Sequence, residues 1–166
     1  MSILIDATTR LMVQGITGKA AQHHTLLMRE YGTNIVGGVR PGAGGSVIHD
    51  IPIFDTVAEC RDACRANASV LFVPAGAMRQ AAFEALDAGI ETVLMVSEHV
   101  PIHDTMQIVA RAAQTGARVI GPNTPGMIAP SAKCKVGFLP SAYYILGHVG
   151  VASRRICYTF LQKECF

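Results

Sequence analysis

The stretch RLMVQGITGKAAQHH, residues 10–24, carries a short apolar run into two glycines and straight on into helix-forming residues. A strand, a tight turn and a helix in that order present free backbone N–H groups and the positive end of a helix dipole to an anion. The spacing is G-x-x-G-x-x-A, not the G-x-G-x-x-G of the dinucleotide loop. Gly15 and Gly18 remove side chains from the turn, Thr17 adds a hydroxyl, and Lys19 adds a positive charge. Ala21 is small enough for the helix to pack closely on a sheet. A tight turn without a ligand is the competing explanation of both glycines, so the loop sets the fold before it sets a function.

Outward from this unit the pattern repeats. The spacing predicts a helix over 17–32, stopped by Gly32, then a strand at 34–39 and a glycine-rich loop at 40–50. A helix follows Pro52 with Thr56 as its N-cap. Strands at 68–74, 91–97 and 117–123 then alternate with helices at 76–89 and 102–116. The runs at 70–73 and 93–96 are unbroken apolar stretches, which marks strands covered on both faces. The expected class is α/β: a Rossmann-like, doubly wound, mainly parallel sheet with helices on both faces. After Pro125 the periodicity weakens, with strands expected at 134–140 and 148–153.

With 166 residues the chain suits one domain with a sizeable core. Fourteen basic residues against twelve acidic, with no run of like charge, leave no footprint for nucleic acid or an anionic membrane. No apolar stretch reaches membrane-spanning length, and the N-terminus lacks the pattern of a signal peptide. Five cysteines without a C-x-x-C pair fit reduced thiols, and a cytoplasmic location is expected. Cys60 and Cys64 share a helix face but cannot reach ordinary disulfide geometry. His99 and His103, with Glu98 and Asp104, form a loose cluster, but Pro101 breaks the helical alignment that two ligands need. No metal is expected there.

The end of the second strand narrows the ligand. A protein that binds NAD usually places Asp or Glu there to hold the ribose hydroxyls. Here the strand runs into Val39 and Arg40, and a basic residue favours a phosphorylated ribose, as in NADP or coenzyme A (CoA).

Several blocks together resemble one family. These are MSILIDATTRLMVQGITGKAAQHHTLLMREYGTNIVGGVRPGAGG, ASVLFVPAGAMRQAAFEALDAGIETVLMVSEHVP, GARVIGPNTPGMIAP and KVGFLP. They are similar, in order from residue 1 to about 153, to the alpha subunit of succinate–CoA ligase. The resemblance implies a CoA-binding domain over residues 1–153. It implies that Gly15, Thr17, Gly18, Lys19 and Ala20 line the CoA phosphates, and that Arg40 and Pro41 border the adenosine end. Val96, Ser97 and Glu98 would flank the cofactor, and Asn123 would lie near the thiol. The chain departs from the family at Ala43, usually lysine, and at Ser97, His99 and Thr124. His24 matches a family histidine.

The family reaction joins a carboxylic acid to CoA at the expense of a nucleoside triphosphate, through an acyl phosphate and a phosphohistidine. The resemblance puts that histidine in a second domain beyond residue 166 and the nucleotide on a beta subunit. It therefore implies a beta-subunit partner and no catalytic residues in this chain, which is not expected to ligate alone. At 154–166 the match fails, with Arg155 and Ile156 where the family has Ser-Gly. This tail reads as truncation, divergence or a change of reading frame. An apolar face left uncovered would favour a homo-oligomer. A stand-alone, non-catalytic CoA-binding or regulatory module and an NADP-binding oxidoreductase fragment are the competing readings.

Overall fold

The computed structural model describes residues 4–153; the tail at 154–166 lies outside them. Four residues of the opening stretch form β1 (Leu11–Gln14), all buried. Alternation along β1 sends Leu11 and Val13 to one side of the sheet and Met12 to the other. The chain then turns at Gly15 into α1 (Lys19–Tyr31), which ends where Gly32 takes the left-handed conformation with φ 117°.

β2 (Ile35–Val39) lies parallel to β1. A two-residue turn at His49 and Asp50, both at positive φ, joins β3 (Val47–Ile48) to β4 (Ile51–Phe54). β4 is parallel to β2, while β3 closes that edge antiparallel. Next come α2 (Val57–Cys64), β5 (Ala68–Leu71), α3 (Met78–Asp87), β6 (Thr92–Met95), α4 (Ile102–Thr115) and β7 (Arg118–Ile120). The seven strands stand in the order β3-β4-β2-β1-β5-β6-β7, parallel except for β3. A separate antiparallel hairpin, β8 (Gly126–Ala129) and β9 (Cys134–Gly137), follows.

Two apolar clusters sandwich the sheet. One gathers Met12, Leu71 and Met95 with Val57 and Cys60 of α2, Met78, Ala82 and Leu86 of α3, and Ile108 of α4. The other gathers Leu11, Val13, Val70 and Leu94 with Met28 of α1 and Ala129, Cys134 and Val136 of the hairpin. Three helices therefore cover one face, and α1 backed by the β-hairpin covers the other. Thr33 ties the hairpin down: its hydroxyl donates to the Lys135 carbonyl at 2.7 Å and accepts the Lys135 N–H at 2.9 Å.

The buried Gln14 amide donates to Ser69 Oγ at 3.1 Å and to the Ala81 carbonyl at 3.2 Å, so β1, β5 and α3 are joined through one satisfied polar group. At α2, Thr56 caps the Glu59 N–H and the Glu59 carboxylate accepts the Thr56 N–H. This is the expected N-cap, extended to a reciprocal capping box. The Cys60 thiol, buried beneath Gly37 and next to Cys64, is pushed up to about 12 and stays protonated.

Three stretches differ from the sequence reading. The loop at 40–50 contains β3, and residues 51–54, left without an element around Pro52, are the strand β4. Pro52 is tolerated because it is exposed and lies ahead of Ile53 and Phe54, the residues of β4 that pair with β2. β8 is a strand where the pattern had weakened, since it pairs only with β9 and presents partly exposed residues. Residues 148–153 form no strand: they find no partner strand among the described residues, and Val149 and Val151 are exposed.

Candidate functional site

The sheet's strand order reverses between β1 and β5, the switch point at whose carboxyl ends sheets of this kind leave a crevice. Gly15 builds its floor. Its φ is +75°, and a Cβ there would stand 2.5 Å from the Phe72 carbonyl oxygen and 3.2 Å from Val73 Cγ1. Glycine is therefore required at this position by the packing of the first turn against the end of β5. Gly18 differs. Its φ is −68°, and a Cβ would meet only Gly15 O at 3.5 Å and Ala21 Cβ at 3.9 Å. Nothing inside the described protein demands a glycine at 18, so the bare surface there is room left open.

That room faces the start of α1. Gly18 is the N-cap and supplies no side-chain cap, and the first turn holds no acidic residue. The first helical N–H groups, from Lys19 onward, have no intrahelical partner by the geometry of the helix. Lys19 and Ala20 are exposed beside them. The end carries uncompensated positive character and suits an anion.

Arg40 reaches this end from the carboxyl end of β2. Its Nη1 donates to Thr17 Oγ1 at 2.6 Å, and its own N–H is fixed by the Phe54 carbonyl at 2.9 Å. The threonine oxygen thus receives a charge-assisted bond while its O–H remains a donor for a further acceptor. Pro41 stands exposed just beyond. Ala43 is half-buried and packs against the α1-side core, so the loop after β2 brings a cation to this rim through Arg40.

The other predicted residues form a second group across β5. Ser97 Oγ donates to the Val73 carbonyl at 2.5 Å, and the Asn123 N–H donates to the Ser97 carbonyl at 3.0 Å. Asn123 adopts φ 56°, a conformation asparagine tolerates well. Val96 and Ser97 are half-buried, while Glu98 is exposed and pairs at 3.6 Å with His99. Asp104 turns away from these histidines to Arg79, 3.5 Å away. Among the described residues no three His, Cys, Asp or Glu side chains stand together to hold a metal ion.

Sequence reasoning missed the residues that join the two groups. Phe72 touches Gly15 through its carbonyl, and Val73 receives Ser97, so the end of β5 is the spine of the crevice. The signal was the FVP at 72–74, which reads as part of a strand but ends in proline.

Behind the crevice, the His24 ring lies nearly parallel to Phe72, with centroids 6.0 Å apart and a 6° interplanar angle. Phe138 lies 5.7 Å away on another side. His24 Nδ1 is buried without a hydrogen-bond partner. Burial first, then the neighbouring His23 and Lys135, lowers its pKa from the ordinary 6.5. The unfolded chain therefore takes up this proton first as pH falls. The contribution is whole above about pH 6.5 and is lost as pH drops through the folded value. The urea midpoint should accordingly fall more steeply below that pH for the wild type than for His24→Gln, and equal slopes would refute the assignment.

The family described as the CoA binding domain matches residues 6–99. Succinate–CoA ligase (ADP-forming) subunit alpha of Staphylococcus epidermidis is 43% identical over 154 residues, which cover 93% of this chain and 51% of the relative. The Staphylococcus aureus subunit of the same name gives the same identity and coverage. The chain thus spans about half the length of the curated relatives it matches.

Among solved structures, ATP citrate lyase of Methanosaeta concilii in complex with (3S)-citryl-CoA superposes with a TM-score of 0.66 at 24% identity, over 78% of this chain and 23% of that one. The dinucleotide-forming acetyl-coenzyme A synthetase 1 of Ca. Korarchaeum cryptofilum gives 0.68 at 17%, over 80% and 30%. D-galactose-1-dehydrogenase of Rhizobium etli gives 0.57 at 19%, over 71% and 38%. At these identities the likeness is one of fold alone, shared by a CoA-linked synthetase and a dehydrogenase.

Proposed function

The chain belongs to the CoA binding domain family, and from that premise we propose that its crevice binds coenzyme A as the cofactor-binding part of an acid–CoA ligase of the succinate–CoA ligase alpha type. The observation that carries the reading is the bond from Arg40 to Thr17 across an uncapped helix start. It sets a guanidinium and a hydroxyl beside free N–H groups, a donor set for phosphate. On this reading Gly15, Thr17, Gly18, Lys19 and Ala20 line the diphosphate, and Arg40 with Pro41 takes the phosphorylated adenosine end. The pantetheine arm then runs over the end of β5 towards Val96, Ser97, Glu98 and Asn123. The domain is read as residues 1–153.

In a complete ligase the same crevice would present the CoA thiol to an acyl phosphate, with chemistry and nucleotide supplied by other parts of the assembly. Ile102, Met106 and Val109 are 77%, 61% and 54% exposed on α4. They support association with another protein surface, for which a ligase beta subunit or a second copy is the partner on this reading. No helix among the described residues is long and apolar enough to cross a membrane; a cytoplasmic setting belongs to the same proposal.

Calorimetric titration with CoA, dephospho-CoA and NADPH tests the assignment. CoA should bind, and loss of its 3′-phosphate should weaken binding. NADPH binding with no response to CoA would overturn the proposal in favour of an oxidoreductase fragment.

A further inference from the structure

Asp55 lies just past the end of β4, exposed, and plays no part in the crevice described above. It nevertheless holds the glycine-rich loop that follows Arg40. Its Oδ1 accepts the Gly44 N–H at 2.9 Å. A Cβ on Gly44 would stand 2.5 Å from Oδ2, so the carboxylate lies directly against the bare glycine.

The loop needs such a hold. Gly42 and Gly45 flank this point at φ +78° and +81°, and a Cβ built on either would find nothing within 4 Å. Two glycines with open space where a side chain would stand give the segment wide backbone freedom. Upstream, the Arg40 N–H is bonded to the Phe54 carbonyl; downstream, the Gly45 N–H bonds the Ile53 carbonyl at 3.0 Å. Between these rungs the loop bonds to itself, the Ala43 N–H to the Arg40 carbonyl at 3.1 Å and the Ser46 N–H to the Ala43 carbonyl at 3.2 Å, and the Asp55 carboxylate reaches in from just past β4 to hold Gly44.

We propose that Asp55 is a positioning residue for the phosphate end of the crevice: it fixes residues 40–46 so that Arg40 stays directed across to Thr17. The proposal rests on the CoA reading. The role belongs to the oxygen as an acceptor and not to the charge, because a negative group near a cationic anion site opposes binding. Asparagine at 55 retains that acceptor, whereas alanine removes it.

The test is calorimetric titration of CoA into the full chain, its Asp55→Asn variant and its Asp55→Ala variant, together with hydrogen exchange at the Gly44 amide. Asp55→Ala should weaken CoA binding about fivefold, the scale of one hydrogen bond. It should also speed exchange at Gly44. Asp55→Asn should bind CoA at least as tightly as the wild type and keep Gly44 protected. Unchanged affinity in Asp55→Ala, or equal loss in both variants, would overturn the proposal. Failure of the wild type to bind CoA would instead count against the CoA reading, and the exchange measurement would still report whether Asp55 holds the loop.

Discussion

Gly15→Ala is expected to lose about 2–5 kcal/mol of folding stability, the sum of a forced positive-φ conformation and an overpacked contact. The added methyl would meet the Phe72 carbonyl, and the backbone at φ +75° does not suit alanine. Neither neighbour can yield: one side is the end of β1 and the other the end of β5, both in the middle of the sheet. CoA binding should vanish along with the turn. Gly18→Ala is the matched control. Its methyl has ordinary contacts and a compatible φ, so stability should fall by only about 1 kcal/mol, through poorer capping. Its effect should appear in affinity, because the methyl enters the space where the phosphates approach. Urea denaturation of both variants, followed by CoA titration of Gly18→Ala, separates a glycine needed by the fold from one left for the ligand. Equal stability losses in the two would show that the distinction is wrong.

Arg40→Ala should leave the fold intact, since the side chain is exposed and bonds only across the loop to Thr17. Its cost should fall on the ligand. A hydrogen bond to a charged group contributes about 1.5–3 kcal/mol, so CoA affinity should drop about tenfold or more. Dephospho-CoA, already without the 3′-phosphate, should lose much less, and the wild-type preference for CoA should shrink towards unity. Added salt should weaken the wild type more than the variant, because one phosphate contact has been removed. Titrating both ligands at two ionic strengths reads all of this. An equal loss for both ligands would move Arg40 from the ribose phosphate to the diphosphate.

What could be read from the sequence follows from where each signal is local. The strands β5 and β6 announced themselves through the unbroken apolar runs at 70–73 and 93–96, the mark of burial on both faces, and β1 through the apolar run that leads into Gly15. Gly32 and Thr56 marked helix ends through their own backbone and side-chain chemistry. β4 was hidden because its four residues include a proline, which only a position ahead of the parallel pairing with β2 accommodates, and β8 because it pairs with β9 alone and its residues are partly exposed. Within the site, Thr17 and Arg40 could each be chosen for their type and place. That they touch depends on the parallel pairing of β1 with β2. Phe72, Val73 and Asp55 went unseen because two of them act through backbone carbonyls, which any residue carries, and the third acts on a glycine 11 positions away.

Phe72 has a double attachment with a practical outcome. Its carbonyl closes on Gly15 at the crevice floor, while its ring carries the His24 imidazole on the opposite side of the same residue. The chain has no tryptophan, so intrinsic fluorescence offers little to follow a ligand. The imidazole protons of His24, however, sit in the magnetic shielding of Phe72 and Phe138, and only six histidines share that region of a proton spectrum. A tilt of the Phe72 ring would change the His24 resonance frequency. On the coenzyme A reading, the His24 resonance is expected to shift on titration with the cofactor, a label-free measurement of occupancy.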